Sequence, residues 1–362
     1  MEYTKLKAGI SGIMRVKNDA EFVEACIDSC IEALDELIIV YNDCSDNSPE
    51  LIKKKQKEYP TKIKVFEYKH KVYSISLTEE EYKYALNLSD DSPNLLCNYY
   101  NFALSKANYQ YAIKIDADQL YFKDELNKWR KICRDEHYNS SKFYYGIGYL
   151  VNIYYILYKF LSFKFQRRLQ IIPSKIVESL KPYYESYAAQ ELKKGNACIS
   201  LSGVNVFKMQ EWFVTMGKEN DIFNIMPPFN GEGDHLIFKI SPSTYYKKYD
   251  MPYYNKLRNF NYSLIEEFVH PYKTLCWGFA WFHLNSMRKD YRELITKVKQ
   301  EHEEAFIDIK EFSSFTYREI EERMDKVMTN NRQKTIFALT YKNSSNTILK
   351  HLPILTNYRT NE

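Results

Sequence analysis

The 362-residue chain is longer than one ordinary domain, so it is expected to form one large domain with an appended region, or two that share a cleft. With 45% hydrophobic and 27% charged residues it has the composition of a globular protein, and a net charge of +4 is too small for the dense basic surface of a nucleic-acid binder. Seven cysteines, an odd number without paired short spacings, argue against a disulfide framework and for a reducing compartment.

The first hundred-odd residues alternate apolar strands with amphipathic helices, the pattern of a mainly parallel sheet covered on both faces. Ala8 to Val16 reads as the first strand. A helix with Phe22, Cys26, Cys30 and Leu34 on one face follows, with the two cysteines as small buried residues, and then the buried-strand run Leu37 to Val40. That strand ends in the polar loop Tyr41 to Asn47. Ser48-Pro49 is expected to open the next helix as N-cap and first-turn proline. Ile63 to Tyr68 is a third strand, and the acidic stretch Val72 to Asp91 lacks periodicity. Ser92-Pro93 repeats the cap signal before a helix with Leu95, Tyr99, Phe102 and Ala103 on its face. Tyr111 to Ile115 is a fourth buried strand delivering Asp116-Ala117-Asp118 at its end.

Ligands of open α/β sheets bind at the carboxyl ends of strands, so Arg15 with Asn18, the 41–47 loop and the Asp-x-Asp all end strands where a nucleotide pocket would form. Two carboxylates of alternating direction can hold a divalent cation and meet a ribose hydroxyl while the cation neutralises a diphosphate. An acidic pair on a loop is by itself commonly just solvated. Beyond residue 121 the alternation breaks down: Gly146 to Arg168 is rich in Tyr and Phe, Ala197 to Lys208 reads as a strand, and Asn285 to Phe306 and Thr316 to Met328 read as helices, the latter with a capping box at Thr316 and Glu319. The expected divisions are residues 1–145, a nucleotide-binding half, 146–284, a second half with the aromatic insertion, and 285–362, a helical C-terminal region.

Four segments carry a likeness: Gly12 to Ala20 with Arg15 and Asn18, Tyr41 to Asp46 with Asp43, Asn98 to Ala103 with Asn101, and Ile113 to Asp118. In order and spacing they resemble the inverting GT-A glycosyltransferases, and among these the bacterial β-1,4-N-acetylgalactosaminyltransferases that extend lipooligosaccharide outer cores. The likeness runs over about Gly9 to Tyr121. It implies a GT-A fold, an α/β mixed sheet with helices on both faces plus a C-terminal acceptor region, and a UDP-sugar donor with Mn²⁺ or Mg²⁺. It further implies that Asp43 contacts the uracil, that Arg15, Asn18 and Asn101 lie on the nucleotide side, that Asp116 lies near ribose and metal, and that Asp118 is the direct metal ligand. Asp43 and Asp46 could instead stabilise an ordinary strand-to-helix turn, Arg15 could be a surface charge, and Asn98 and Asn101 could simply cap or line their helix.

A second constellation is Asn230-Gly231-Glu232-Gly233-Asp234-His235. Related transferases carry an adjacent acidic pair about this far beyond the Asp-x-Asp, one carboxylate acting as base, and here Gly233 separates the two acids. Inverting transfer needs one carboxylate to take the acceptor proton. Asp234 is preferred, with Glu232 binding hydroxyls; a Gly-rich solvated turn is the alternative. His283, between Phe282 and Leu284, is a candidate late metal ligand or a packed core histidine. Trp277 and Trp281 suit a sugar-stacking wall or core packing equally. Ile147 to Arg168, with Lys159, Lys164, Arg167 and Arg168, suits a membrane interface or a buried part of the acceptor region.

These observations together predict a metal-dependent inverting transferase moving a hexose or N-acetylhexosamine, N-acetylgalactosamine favoured, from a UDP-sugar to a lipooligosaccharide, capsule or other surface glycan. A galactosyl- or glucosyltransferase of the same fold, and a non-catalytic glycan- or membrane-binding protein, are the alternatives; a nucleotidyltransferase would need a more Gly-rich loop after the first strand. No signal-peptide pattern or membrane-spanning apolar run is present, so the protein is expected on the cytoplasmic side, with peripheral contact at the inner face of the bacterial membrane. No nucleic-acid partner is expected.

Overall fold

A computed structural model describes residues 6–136, 140–165, 176, 179–216, 228–231, 233–250, 262–315 and 347–358. The chain divides into two compact units, one of residues 1–118 and 237–272, the other of residues 119–236 and 273–362.

The first unit is a covered parallel sheet. Strand β1 (Lys7–Val16), helix α1 (Val23–Cys30), β2 (Glu36–Tyr41), α2 (Ser48–Glu58), β3 (Ile63–Glu67), α3 (Glu79–Leu86), α4 (Leu96–Leu104) and β4 (Tyr109–Asp116) follow in chain order. The parallel strand order is β3-β2-β1-β4, the order of a mononucleotide-binding half. Leu37 to Val40 are all fully buried, which is why the sequence there runs continuously apolar instead of alternating. Cys26 and Cys30 are likewise buried, and neither is in a disulfide. The strand Leu236–Lys239 adds antiparallel to β4, with Ile237 opposite Ile113.

Two local expectations need correction. Ser48 is the first helical residue of α2, not its cap: Asn47 holds that position, and the Ser48 amide donates to Asp46 Oδ1 at 3.0 Å. The Ser48 hydroxyl instead accepts from the Asp19 amide at 2.9 Å. Similarly, α4 is capped at Leu95, while Ser92 Oγ accepts from the Asn94 amide at 3.3 Å in the turn before it. The acidic stretch after Val72 also holds α3, unrecognised because Ala85 is its buried residue and the helix therefore shows no apolar stripe. Its signal is the capping box: Glu81 N donates to Thr78 Oγ1 and Thr78 N to Glu81 Oε2, both at 3.2 Å.

A hairpin of Tyr245–Asp250 and Leu264–Val269 completes this unit. The Asn101 side chain reads both backbone groups of Tyr246, its Nδ2 donating to the carbonyl and its Oδ1 accepting from the amide, each at 2.8 Å. Tyr100 stacks on Tyr246 at 4.7 Å.

In the second unit, Ala197–Asn205 pairs parallel with Lys273–His283, Gln119–Tyr121 pairs antiparallel with the end of the latter, and Phe229–Asn230 pairs antiparallel with Gly203 and Val204. The segment Gly146 to Arg168 begins within a long helix, Lys142–Phe165, packed on the helix Lys181–Lys194. The two approach closely at Gly148, where a Cβ would stand 2.2 Å from the Tyr183 carbonyl oxygen. Val151, Asn152 and Tyr155 are buried, whereas Phe143, Leu150, Ile156, Leu157 and Phe160 are exposed. The helix is therefore core on one side and apolar surface on the other. A small sheet of Phe207–Lys208, Trp212–Thr215 and Phe306–Asp308 lies in the same unit. The helix expected at 285–306 is realised as Lys289–Glu301; the one expected at Thr316 to Met328, with its capping box, lies outside the described residues, as do Arg167 and Arg168.

Candidate functional site

In the first unit the carboxyl ends of β1, β2 and β4 carry the expected polar residues. Arg15 pairs in register with Asp116 across β1 and β4. The guanidinium of Arg15 is not a free surface charge. Nη2 donates to the Tyr100 hydroxyl at 2.7 Å, and the group lies 4.1 Å over the Tyr100 ring and 5.4 Å from the Tyr99 ring. Burial alone disfavours its charge, but Tyr100 and Glu266 outweigh that and raise its pKa further. Burial in turn pushes the Tyr99 and Tyr100 hydroxyls above their usual range. Arg15 Nε is buried and makes no hydrogen bond among the described residues.

Asn18 and Asp43 take the left-handed backbone, φ 57° and 45°, as residues of tight loops beyond strand ends do. Asn18 Oδ1 accepts from the Ser45 amide at 2.7 Å, tying the β1 loop to the β2 loop. The Asp43 side chain is 75% exposed and meets Lys17 at 3.1 Å, whereas Asp46 is held by the Ala20 and Ser48 amides. Burial opposes the charge of Asp46, but these donors lower its pKa. Asp46 is thus the turn-forming acid and Asp43 the outward one. Buried Asn42 closes the loop from below, donating to the Tyr68 and His70 carbonyls.

Asp116 ends β4, its carbonyl accepting from Cys26 Sγ at 3.2 Å. Lys114, buried on the same strand, places Nζ 3.8 Å from Asp116 Oδ2 and 3.7 Å from Glu266 Oε1, so a cation already faces this carboxylate. Asp118 is buried at the end of the unit.

In the second unit the Gly-rich segment forms a turn leading into a strand. Gly231 and Gly233 have φ of 86° and 80°, and the Asp234 and His235 amides both donate to the Gly231 carbonyl at 3.1 Å. The turn is fastened to the neighbouring strand by Gly233 N donating to Ser200 Oγ at 3.0 Å and Leu201 N to the His235 carbonyl at 3.0 Å. Asp234 is half exposed; Glu232 lies outside the described residues. Trp281 is fully buried against Gly203 and Gly231, where added Cβ atoms would stand 1.8 and 2.3 Å from its ring. Its Nε1 donates to Asn230 Oδ1 at 3.0 Å. Trp277 is buried too, so both tryptophans are core and form no sugar-stacking wall. The His283 ring places Nδ1 2.6 Å from Asn205 Oδ1. Sequence reasoning missed Gln119 and gave His235, the last residue of its second constellation, no role, although the two meet at 3.1 Å; the signal was adjacency, since each directly follows a singled-out acid.

Residues 7–168 match the family described as beta-1,4-N-acetylgalactosaminyltransferase (CgtA). The match takes in somewhat less than half of the chain, and over that part the chain is similar to this family. The matched segment covers β1 to β4, the Asp-x-Asp and the long helix. Among solved structures, it is similar to glucosyl-3-phosphoglycerate synthase from Mycobacterium tuberculosis in complex with Mn²⁺, UDP and phosphoglyceric acid, at 15% identity over 31% of this chain and 34% of that one, with a TM-score of 0.19. The aligned part thus spans about a third of the synthase. S. aureus TarS 1–349 is similar at 11% identity over 96% of this chain and 78% of that one, with a TM-score of 0.31, and its complex with UDP at 0.32. A comparison with curated proteins finds no match.

Proposed function

We propose that the protein is a metal-dependent inverting transferase that moves an N-acetylhexosamine or hexose, N-acetylgalactosamine first, from a UDP-sugar to a bacterial lipooligosaccharide, capsule or other surface glycan. The observation that carries the reading is the family match over residues 7–168, which includes every nucleotide-side residue named from the sequence. In this reading the exposed Asp43 carboxylate accepts from the uracil imide N–H, and the unbonded Arg15 Nε faces the nucleotide, with Asn18 and Asn101 shaping the loops around it.

Asp116 and Asp118 would hold the cation. Their hard carboxylate oxygens suit Mg²⁺ or Mn²⁺, and Asp118, taken out of water, is a carboxylate that gains from a nearby positive charge. When bound, the ion would neutralise the leaving diphosphate. His283 suits a further ligand, because an Nδ1–H donated to Asn205 Oδ1 presents Nε2 as the lone-pair nitrogen. Asp234 takes the proton from the acceptor hydroxyl as its oxygen attacks the anomeric carbon from the face opposite the diphosphate, which inverts the configuration. Glu232 is assigned to hydroxyl binding.

A lipid-linked acceptor also suits the exposed apolar side of helix Lys142–Phe165, where Phe143, Leu150, Leu157 and Phe160 recur at near-heptad spacing in a segment, residues 142–168, without acidic residues. We place this side against the inner face of the cytoplasmic membrane. Among the described residues no helix is long and apolar enough to cross a membrane. The test is thermal protection by a panel of UDP-sugars, with Mn²⁺, Mg²⁺ or excess chelator. Protection that needs the cation and disappears in Asp118→Ala is expected, UDP-N-acetylgalactosamine being strongest; stronger protection by UDP-galactose or UDP-glucose would select the alternative donor. Protection unchanged in chelator would refute the metal role.

A further inference from the structure

Two cations share the ring of Tyr100. The Arg15 guanidinium lies 4.1 Å from its centroid and the Lys114 ammonium 5.4 Å. Their charges are met differently. Lys114 stands between two carboxylates, Asp116 at 3.8 Å and Glu266 at 3.7 Å. Arg15 forms no ion pair among the described residues: Glu266 acts on it through the electrostatic field, and its Nη2 donates to the Tyr100 hydroxyl at 2.7 Å. Burial pushes that hydroxyl well above its usual range, so it keeps its proton and directs the guanidinium without cancelling its charge. A cation held by an aromatic ring and a neutral oxygen is a charge left over for an anion.

Tyr100 is braced in turn. It is buried on α4 and stacks on Tyr246 of the hairpin, with centroids 4.7 Å apart, while the adjacent Asn101 holds the amide and the carbonyl of Tyr246 at 2.8 Å each. All these residues belong to the first unit. We propose that Tyr100 is a positioning residue, which through its hydroxyl and its ring fixes the Arg15 guanidinium as the cation that meets the phosphates of the donor. The proposal rests on Arg15 lying on the nucleotide side. The diphosphate is the anionic part of a UDP-sugar, and a guanidinium without a carboxylate partner is matched to it in charge and in fork geometry. An arginine free to rotate would lose side-chain freedom on meeting the phosphates; one already fixed loses less.

The experiment reads ligand binding and the guanidinium itself, on the full chain with Mn²⁺ present. By calorimetry, Arg15→Met should raise the Kd of UDP roughly ten- to hundredfold. Tyr100→Phe, which keeps the ring and loses the hydroxyl, should raise it roughly three- to tenfold. Uridine, which lacks the phosphates, should bind wild type and both variants within about twofold of one another by saturation-transfer NMR. In nitrogen-15 spectra the Arg15 side-chain signal, identified by its loss in Arg15→Met, should be shifted upfield by the Tyr100 ring. Tyr100→Phe should keep most of that shift and Tyr100→Leu should lose it; should Tyr100→Leu fail to fold, Tyr100→Phe carries the test. A wild-type Arg15 signal without the upfield shift overturns the proposal. If Arg15→Met weakens UDP binding while Tyr100→Phe binds UDP as wild type does, the positioning role is refuted and the nucleotide-side reading of Arg15 stands. If either variant weakens uridine as much as UDP, Arg15 serves the base or the ribose and the phosphate assignment is refuted. If Arg15→Met binds UDP as wild type does, both fall.

Discussion

Gly203→Ala is a small change with a large expected effect. The added Cβ would stand 1.8 Å from Trp281 Nε1 and 2.2 Å from Cδ1, against about 3.4 Å for an ordinary contact. The ring has little room to retreat, because Gly231 stands against its six-membered part and its Nε1 is held by Asn230. Trp281 is also paired in register with Gly203 and with Tyr121, so strand separation is the other way to relieve the clash. Overpacking of a filled core costs about 1–3 kcal/mol, and breaking the indole hydrogen bond adds about 1 kcal/mol. A loss of about 2–4 kcal/mol would lower the Tm of a unit of about 200 residues by roughly 5–15 °C. Calorimetry on Gly203→Ala beside Gly146→Ala separates close packing from a general glycine effect. A Cβ at Gly146 meets nothing within 4 Å in an exposed helical position, so that variant should gain about 0.5–1 kcal/mol. A Gly203→Ala protein with unchanged Tm would refute the claim that the bare glycine faces seat Trp281.

Asp124 gives a pH dependence. Its burial favours the neutral acid, but hydrogen bonds from Lys350 and His351 of the helix Thr347–Asn357 outweigh this and bring its pKa to about 2. Its contribution is therefore fully present above about pH 4 and lost as pH falls toward 2. Limited proteolysis should show this helix released over that window, with Asp124→Asn releasing it already at neutral pH; release at the same acidic pH in the variant would show that the pair is not the anchor. Replacing Phe143, Leu150, Leu157 and Phe160 together by Ser should lower affinity for anionic liposomes by at least about tenfold with Tm unchanged. A large drop in Tm would mean that this face is covered within the protein. Tyr155 is not a suitable probe, because it is buried against the Tyr184 ring.

The parallel half was legible because its strands are buried on both faces, and continuous runs such as Leu37 to Val40 leave few other readings. Helix caps were less so: Ser48 and Ser92 stand where a cap could be, but backbone geometry puts Asn47 and Leu95 there. Of the site, the acids announced themselves by type and position. Their supports did not, because Lys114 and Glu266 act on partners that the fold brings from elsewhere, Glu266 from 150 residues beyond Asp116. The long helix suited both a core and a surface reading of its sequence, since burial and exposure alternate around its circumference.

The interruption of the first unit by the second has a consequence during synthesis. Strand β4 leaves the ribosome with one edge paired to β1, and the partner for its other edge, Ile237 to Lys239, follows about 120 residues later. At ordinary translation speeds that is a delay of roughly 6–25 s. Throughout it, the backbone groups of Tyr111, Ala112 and Ile113 line an open, apolar sheet edge, the kind of surface that recruits stray strands. The nascent chain therefore has a vulnerable interval, bounded by two codon positions, in which a chaperone or an early-folding neighbour has the most to protect.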